Sequence, residues 1–484
     1  MARAAETDSP PSAVQFSADL EPLIRLIEET PRDRAVEVIA TQIQQGLSYR
    51  TLLAALFLAG IRNVNPQPPG FKFHCVFVIH SAHQISLEAP RSDQFLPLFY
   101  ALDLFKSSQA DDARQGDFVL RDVQGSLPSP EQASHEFHAA MEAWDAERAD
   151  RAIVALARTR GANDVIAHLW PYGARDYRNI GHKAIYVSSA WRTLQTIGWQ
   201  HAEPVLRSLV LGILDFGPDK KVNQFAFSDQ SYLPNRELAA KAFPALPPAW
   251  AGSAPNEAVT RELLAMLREG QIQPSCEQSV QLLTSGRSQA APLWDAAHLM
   301  AGELMMSSPG IFGIHTVTSI NALRYAFDHC ADPQMRLLLL LQGVGWMGQF
   351  QQLMTSQEGR ARNKFQSIDI TALSPAEIPS TDDAATAAIF ERLPDRSSEA
   401  ASMAFALAQR NSAPAPFFTA ACRQITQKAD EAHQYKYPAA IFEDYRLVSP
   451  VWQPHLLAAS AYYLRGQGDH ASSVIERATA ALQA

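Results

Sequence analysis

Cysteine is scarce in this chain of 484 residues: Cys75, Cys276, Cys330 and Cys422, with no CxxC spacing. That argues against a disulfide framework or a thiolate zinc site and for single buried thiols in a reducing compartment. Basic runs of five or more are missing and the net charge is −9, so neither nucleic acid nor an anionic membrane is expected as a partner. The longest apolar runs, such as LLLLLQGVGWM, fall well short of a membrane span. The opening residues lack an apolar signal core, so no secretory leader is expected and the location should be cytoplasmic. Val/Ile/Thr alternation between hairpin turns is absent, which makes strands scarce. No glycine-rich dinucleotide fingerprint or P-loop occurs, so flavin and nicotinamide are not expected as bound cofactors.

What remains is a helical period. Leu23, Ile24 and Ile27 recur at three- and four-residue steps, as do Val36, Ile39, Ile43 and Leu47, the spacing of an amphipathic helix. Residues 1–18 are polar and Pro-rich and read as a loose tail. Beyond them one pattern recurs four times: a histidine, an apolar helical run, a turn of Pro, Asp, Ser or Glu, and a second apolar run. The histidines are His74, His182, His315 and His433, spaced 108, 133 and 118 residues apart. Each hairpin is preceded by further helices, giving units of about 19–106, 134–216, 257–355 and 384–484. The predicted fold is therefore all-α: a single helical domain, 19–484, of four divergent repeats around a central site. Units over 100 residues long resemble a multiplied subdomain rather than short tandem repeats. Long connections at 107–134, 217–256 and 356–383 either cover something or are loose. The second carries Phe225, Phe227, Tyr232, Phe243 and Trp250, which suits a lid over the site or plain packing equally.

A lone histidine at a helix start is usually a cap or core residue. Four at matching positions would face one another across a closed set of helices, as ligands do in metal-binding bundles. A helix N-terminus disfavours imidazolium, and neutral imidazole is the metal-binding form. His80 and His83 share the helix of His74, yet His83 points about 180° away at 100° per residue, so they cannot all join one site. His80, together with His168 and His298 in the helices before the second and third hairpins, reads as support behind the ligands or as structure. His135, His138, His201, His329, His455 and His470 read as surface or turn residues. Glu303, Asp295 and Glu203 are the nearest acidic candidates, and Glu203 reads better as a helix-start carboxylate. Lys436 shares a helical face with His433. It is either a snorkelling lysine or, if its neutral amine takes up carbon dioxide, an anionic oxygen ligand.

The segments FKFH around His74, IGHKAIY around His182, FGIHTVTS around His315 and AHQYKY around His433 and Lys436 resemble the questin oxidase-like proteins. These are oxygenases that open the rings of anthraquinones in aromatic polyketide pathways. The resemblance covers most of the chain by order and spacing. It implies a largely helical fold and one non-haem iron held by His74, His182, His315 and His433, with Lys436 as a carboxylated ligand. The expected function is then an Fe(II)- and dioxygen-dependent oxygenase acting on a quinone-like or polyketide-derived small molecule, by oxidative ring cleavage. Imidazole also suits zinc, copper or nickel, so the residues alone leave the metal open. One helical turn beyond the ligands, Phe77, Tyr186, Ser319 and Tyr437 are the expected pocket wall. Two other classes fit the residues: a helical interaction scaffold without metal, and a zinc-dependent hydrolase.

Overall fold

A computed structural model describes residues 12–215 and 227–484. Among them the chain is helical throughout, with no β-strand and one isolated bridge, Ala13 to Arg121. The four histidine hairpins supply the centre. Helices His74–Glu88, His182–Ile197, Ile311–His329 and His433–Leu447 stand in a ring, each packed against the next and the last against the first. All four run in the same direction. His80 meets Arg192, and Asn321 meets Glu443 and Asp444, each about two to three turns beyond the histidine of its helix.

The second helix of every hairpin backs its own central helix: Leu96–Gln115, Ala202–Ile213, Pro333–Thr355 and Gln453–Ser460. Pro333–Thr355 has almost no amphipathic pattern because it is buried nearly all round, from Leu337 through Phe350. The helices preceding each hairpin pack around these eight, and four of them start at a polar side-chain cap. Ser48, Asp145, Asn256 and Thr381 each accept a backbone N–H of the first turn. The four central helices lack any such side-chain cap.

Several expectations about loops need correction. The tail is held from residue 12 onward: Val14 N–H donates to Leu120, Arg62 donates to the Val14 carbonyl, and Val14 is buried. Residues 1–11 lie outside the described part. The first connection starts as helix, since Leu96–Gln115 runs on past 107, and is non-helical from 116 to 132. In the second connection, Phe225 lies outside the described residues. Tyr232 opens a helix, Tyr232–Ala242, and is buried, and Trp250 packs edge-on against Phe327. Packing is what these aromatics do. The third connection is pinned by Ile370, whose N–H donates to Glu303. No described helix is long and apolar enough to cross a membrane, and all four cysteines are free and buried.

Candidate metal centre

The ring of helices brings the four histidines together at its N-terminal end. His74, His182 and His433 are the first residues of their helices, and His315 is the fifth residue of its own, one turn in. Ring centroids lie 5.2 Å apart for His74–His182, 4.4 Å for His182–His315, 5.2 Å for His315–His433 and 4.7 Å for His433–His74. One ring nitrogen each of His74, His315 and His433, the atoms that could hold a metal, fall within 4.8 Å of one another. His182 Nε2 lies 3.2 Å from His74 Nε2 and 3.0 Å from His315 Nε2.

Every imidazole is held from behind. Nδ1 of His74 is 2.7 Å from the Phe71 carbonyl, Nδ1 of His182 is 2.5 Å from Asn179, and Nδ1 of His315 is 2.5 Å from Ile311. Nδ1 of His433 is 2.7 Å from a carboxylate oxygen of Glu431. All four partners can only accept, so all four Nδ1 atoms must carry the proton. A neutral ring with its proton on Nδ1 has a bare lone pair on Nε2. Four such lone pairs therefore converge, two contacts being as short as 3.0 and 3.2 Å. Without a cation between them that arrangement is repulsive.

The neutrality is enforced by burial. Desolvation, followed by the neighbouring cationic candidates, pushes His74, His182 and His315 well below the usual imidazole range. Burial also lowers His433, against the opposing pull of Glu431. Lys436 is 4% exposed, its amine has no hydrogen-bond partner, and burial lowers its pKa to about 7. Its Nζ sits 5.3 Å from the Phe77 ring centre, and it is a leading charge on all four histidines. His433 Nε2 is likewise buried and unpartnered.

The backbone is distorted to achieve this. Phe71 (φ 47°), Asn179 (φ 55°) and Ile180 (φ 49°) are left-handed although none is glycine. Such conformations cost about 1–3 kcal/mol each and collect at functional sites. Phe71 and Asn179 are the very residues whose carbonyls hold His74 and His182. Gly70 (φ +122°) lies flat on the His182 ring, where a Cβ would come within 3.3 Å. Gly181 (φ +88°) passes so close to Ser319 that a Cβ would sit 2.6 Å from it.

The structure separates the other candidates. Phe77 stacks on His182 at 5.8 Å and meets His74 edge-on at 5.9 Å. Ser319 lies beside Gly181, its hydroxyl bonded to the His315 carbonyl. Tyr186 and Tyr437 do not face the centre: their hydroxyls donate outward to Ser208 and to the Ala459 carbonyl, because each points at the second helix of its hairpin. His80 sits farther down the ring, accepting from Arg192. His168 belongs to a separate cluster with His138, 3.0 Å away, which in turn meets Tyr172. His298 is buried 3.3 Å from Asp444. His201 and His455 are buried rather than superficial. Glu303 pairs with Arg268, Asp295 accepts from Ser449, and Glu203 pairs with Arg158, which removes all three from the centre.

Sequence reasoning missed Glu431 and Tyr463, whose hydroxyl donates to the other Glu431 oxygen at 2.7 Å. An acidic residue two before a candidate ligand was the available signal. It also missed the polar layer of Arg192, Glu443 and Asn321 below Lys436, which borders a cavity of about 30 Å³. Comparison with family models, with curated proteins and with solved structures gives no match.

Proposed function

We propose that His74, His182, His315 and His433 hold one transition-metal ion, that this ion is iron(II), and that the protein is an oxygenase acting on an aromatic small molecule. The observation that carries the metal is the tautomer argument. Four acceptors fix four Nδ1 protons, so four lone pairs point at one place. The spacing fits: two nitrogens about 2.1 Å from one ion and at right angles lie about 3.0 Å apart, and the two closest contacts are 3.0 and 3.2 Å. The orphaned His433 Nε2 and Lys436 Nζ gain a partner in the same step.

The choice of iron rests on the donor set, which suits it among other metals, and on the resemblance of the four histidine segments to ring-cleaving oxygenases. When bound, iron(II) supplies one-electron chemistry with dioxygen. The chain's own residues do the rest. Backbone carbonyls and Glu431 fix the imidazole planes, Phe77 closes the apolar wall beside His74 and His182, and burial excludes water from Lys436. The neutral amine of Lys436 is able to add to carbon dioxide, forming the N–C bond and releasing one N–H proton, and the resulting carbamate would bring one negative charge to an otherwise neutral ligand set.

Anaerobic reconstitution with Fe(II) followed by metal analysis tests the metal, with one iron per chain expected. Dioxygen uptake with a panel of hydroxylated anthraquinones tests the reaction. Turnover of an ester without oxygen, or no metal uptake at all, would replace this reading with a hydrolase or a scaffold.

A further inference from the structure

Two buried basic side chains border the same small cavity with donors unmet. Arg192 and Lys436 are 9% and 4% exposed, and both line the space of about 30 Å³ inside the ring of helices. The guanidinium is bonded through one nitrogen: Nη1 donates to His80 Nε2 at 3.1 Å and to Glu443 at 2.8 Å. Its carbon lies 3.7 Å from the Tyr325 ring centre. Arg192 Nε and Nη2 have no partner among the described residues, and neither has Lys436 Nζ. Glu443 is 36% exposed and shared with Asn321. Asp444, its neighbour, is taken by Asn321 and His298. The remaining edge of the guanidinium is therefore unanswered.

A guanidinium cannot escape this by losing its proton, and buried N–H groups are rarely left unmet, because each has forfeited its hydration. The chemistry of the missing partner follows from the donors. Nε–H and Nη2–H lie parallel on one edge of the guanidinium, the arrangement that takes two oxygens of a planar oxyanion at once. The size follows from the cavity. A single water needs about 10–15 Å³, so about 30 Å³ admits two or three oxygen-sized atoms. Water would fill the space and leave the charge unbalanced, whereas an anion answers both.

We propose that this cavity binds a small planar monovalent oxyanion, of the size of formate, nitrate or bicarbonate, held by Arg192 Nε and Nη2 together and by Lys436 Nζ. Tetrahedral sulfate and phosphate are too bulky for it. The site lies directly below the four histidines and does not depend on which metal they hold.

The test is calorimetric titration of the full chain with sodium formate, at constant ionic strength set with gluconate and in buffers freed of carbon dioxide. Formate has the shape but cannot form a carbamate on Lys436. Because it can also ligate a metal, metal-free and Fe(II)-loaded protein are titrated in parallel. The metal-free chain should bind one formate, saturating in the millimolar range, since three non-hydrogen atoms carry little binding energy. Sulfate should give no saturable heat. Arg192→Met should abolish the binding, and Arg192→Lys, which keeps the charge and gives up the paired edge, should weaken it about tenfold. Ala439→Val fills the cavity with every charge in place and should lose the binding too, which keeps the test sound if a variant at Arg192 fails to fold. Arg446→Met, at an arginine whose side chain is 51% exposed, should bind as the wild type does. Three results overturn the proposal: no saturable formate binding by the metal-free wild type, wild-type affinity in the Arg192 variants or in Ala439→Val, or equal binding of sulfate. Formate bound by the loaded protein alone belongs to the metal, and sinks the anion site while supporting the ion. Formate bound by a chain that takes up no iron sinks the iron and keeps the anion site.

Discussion

Glu431 offers the cleanest perturbation of the centre. Three imidazoles are anchored by backbone carbonyls that no substitution removes, and the fourth by a side chain. Glu431→Gln keeps the geometry. The amide oxygen accepts from His433 Nδ1, and the amide nitrogen donates to the Tyr463 hydroxyl in place of accepting from it. What is lost is the negative charge behind the ring, which raises the basicity of Nε2. Removing such a partner lowers metal affinity about 10- to 100-fold. The Glu431 side chain is 40% exposed, so water screens the charge, and the lower end applies: about 10- to 30-fold, or roughly 1.4–2 kcal/mol. Glu431→Ala also frees the ring to rotate and should approach 100-fold. Competition with a chromophoric chelator, under anaerobic conditions, gives both numbers. Wild-type affinity in both variants would mean that His433 does not bind the ion.

His315→Ala should abolish the rise in stability that metal gives the wild type, about 2.7 kcal/mol at a hundredfold excess over Kd, as read by thermal melts with and without Fe(II). An unchanged metal-dependent shift would refute the four-histidine set. Gly70→Ala places a Cβ within 3.3 Å of the His182 ring at φ +122°; it should cost about 1–3 kcal/mol and weaken metal binding, both visible in the same melts. Lys436 has a folded-state pKa near 7, below its ordinary 10.5, so between those values the unfolded chain binds the proton that the folded chain has released. Stability of the metal-free protein should rise from pH 7 towards 10, by no more than about 4–5 kcal/mol at 1.36 per pH unit. Lys436→Met should flatten that profile and be the more stable at pH 7, in denaturant titrations in buffers freed of carbon dioxide.

The helices were legible because periodicity is a local signal. The four central helices and their backing partners follow from apolar spacing and from Pro333 and Gln453–Pro454 at the helix starts. Convergence of the histidines was legible only through recurrence, since nothing near His74 in sequence refers to His315. The pocket guesses at Tyr186 and Tyr437 failed because each phenol reaches the second helix of its hairpin, where Ser208 and the Ala459 carbonyl accept its hydroxyl. The left-handed Phe71, Asn179 and Ile180 were beyond reach. These residue types are poor choices for that backbone region, so only the folded surroundings that impose it reveal it.

The missing side-chain caps bear on the electrostatics. Four helices end at the centre with their positive ends inward, and none has a carboxylate or hydroxyl of its own as N-cap. Each N-terminus is worth up to about half a positive charge within its first turn. Four neutral imidazoles add none. The field therefore opposes imidazolium, opposes protonated Lys436, and also opposes a bare divalent ion. The lone pairs supply the attraction that overcomes this for a metal, while a proton or an ammonium group has no comparable set of ligands to gain. Among the described residues Glu431 is the sole carboxylate bonded to one of the four rings, and one partly exposed negative charge does not balance a divalent ion together with four helix ends. If the proposed ion is bound, the centre carries an excess of positive charge that a carbamate on Lys436 would relieve.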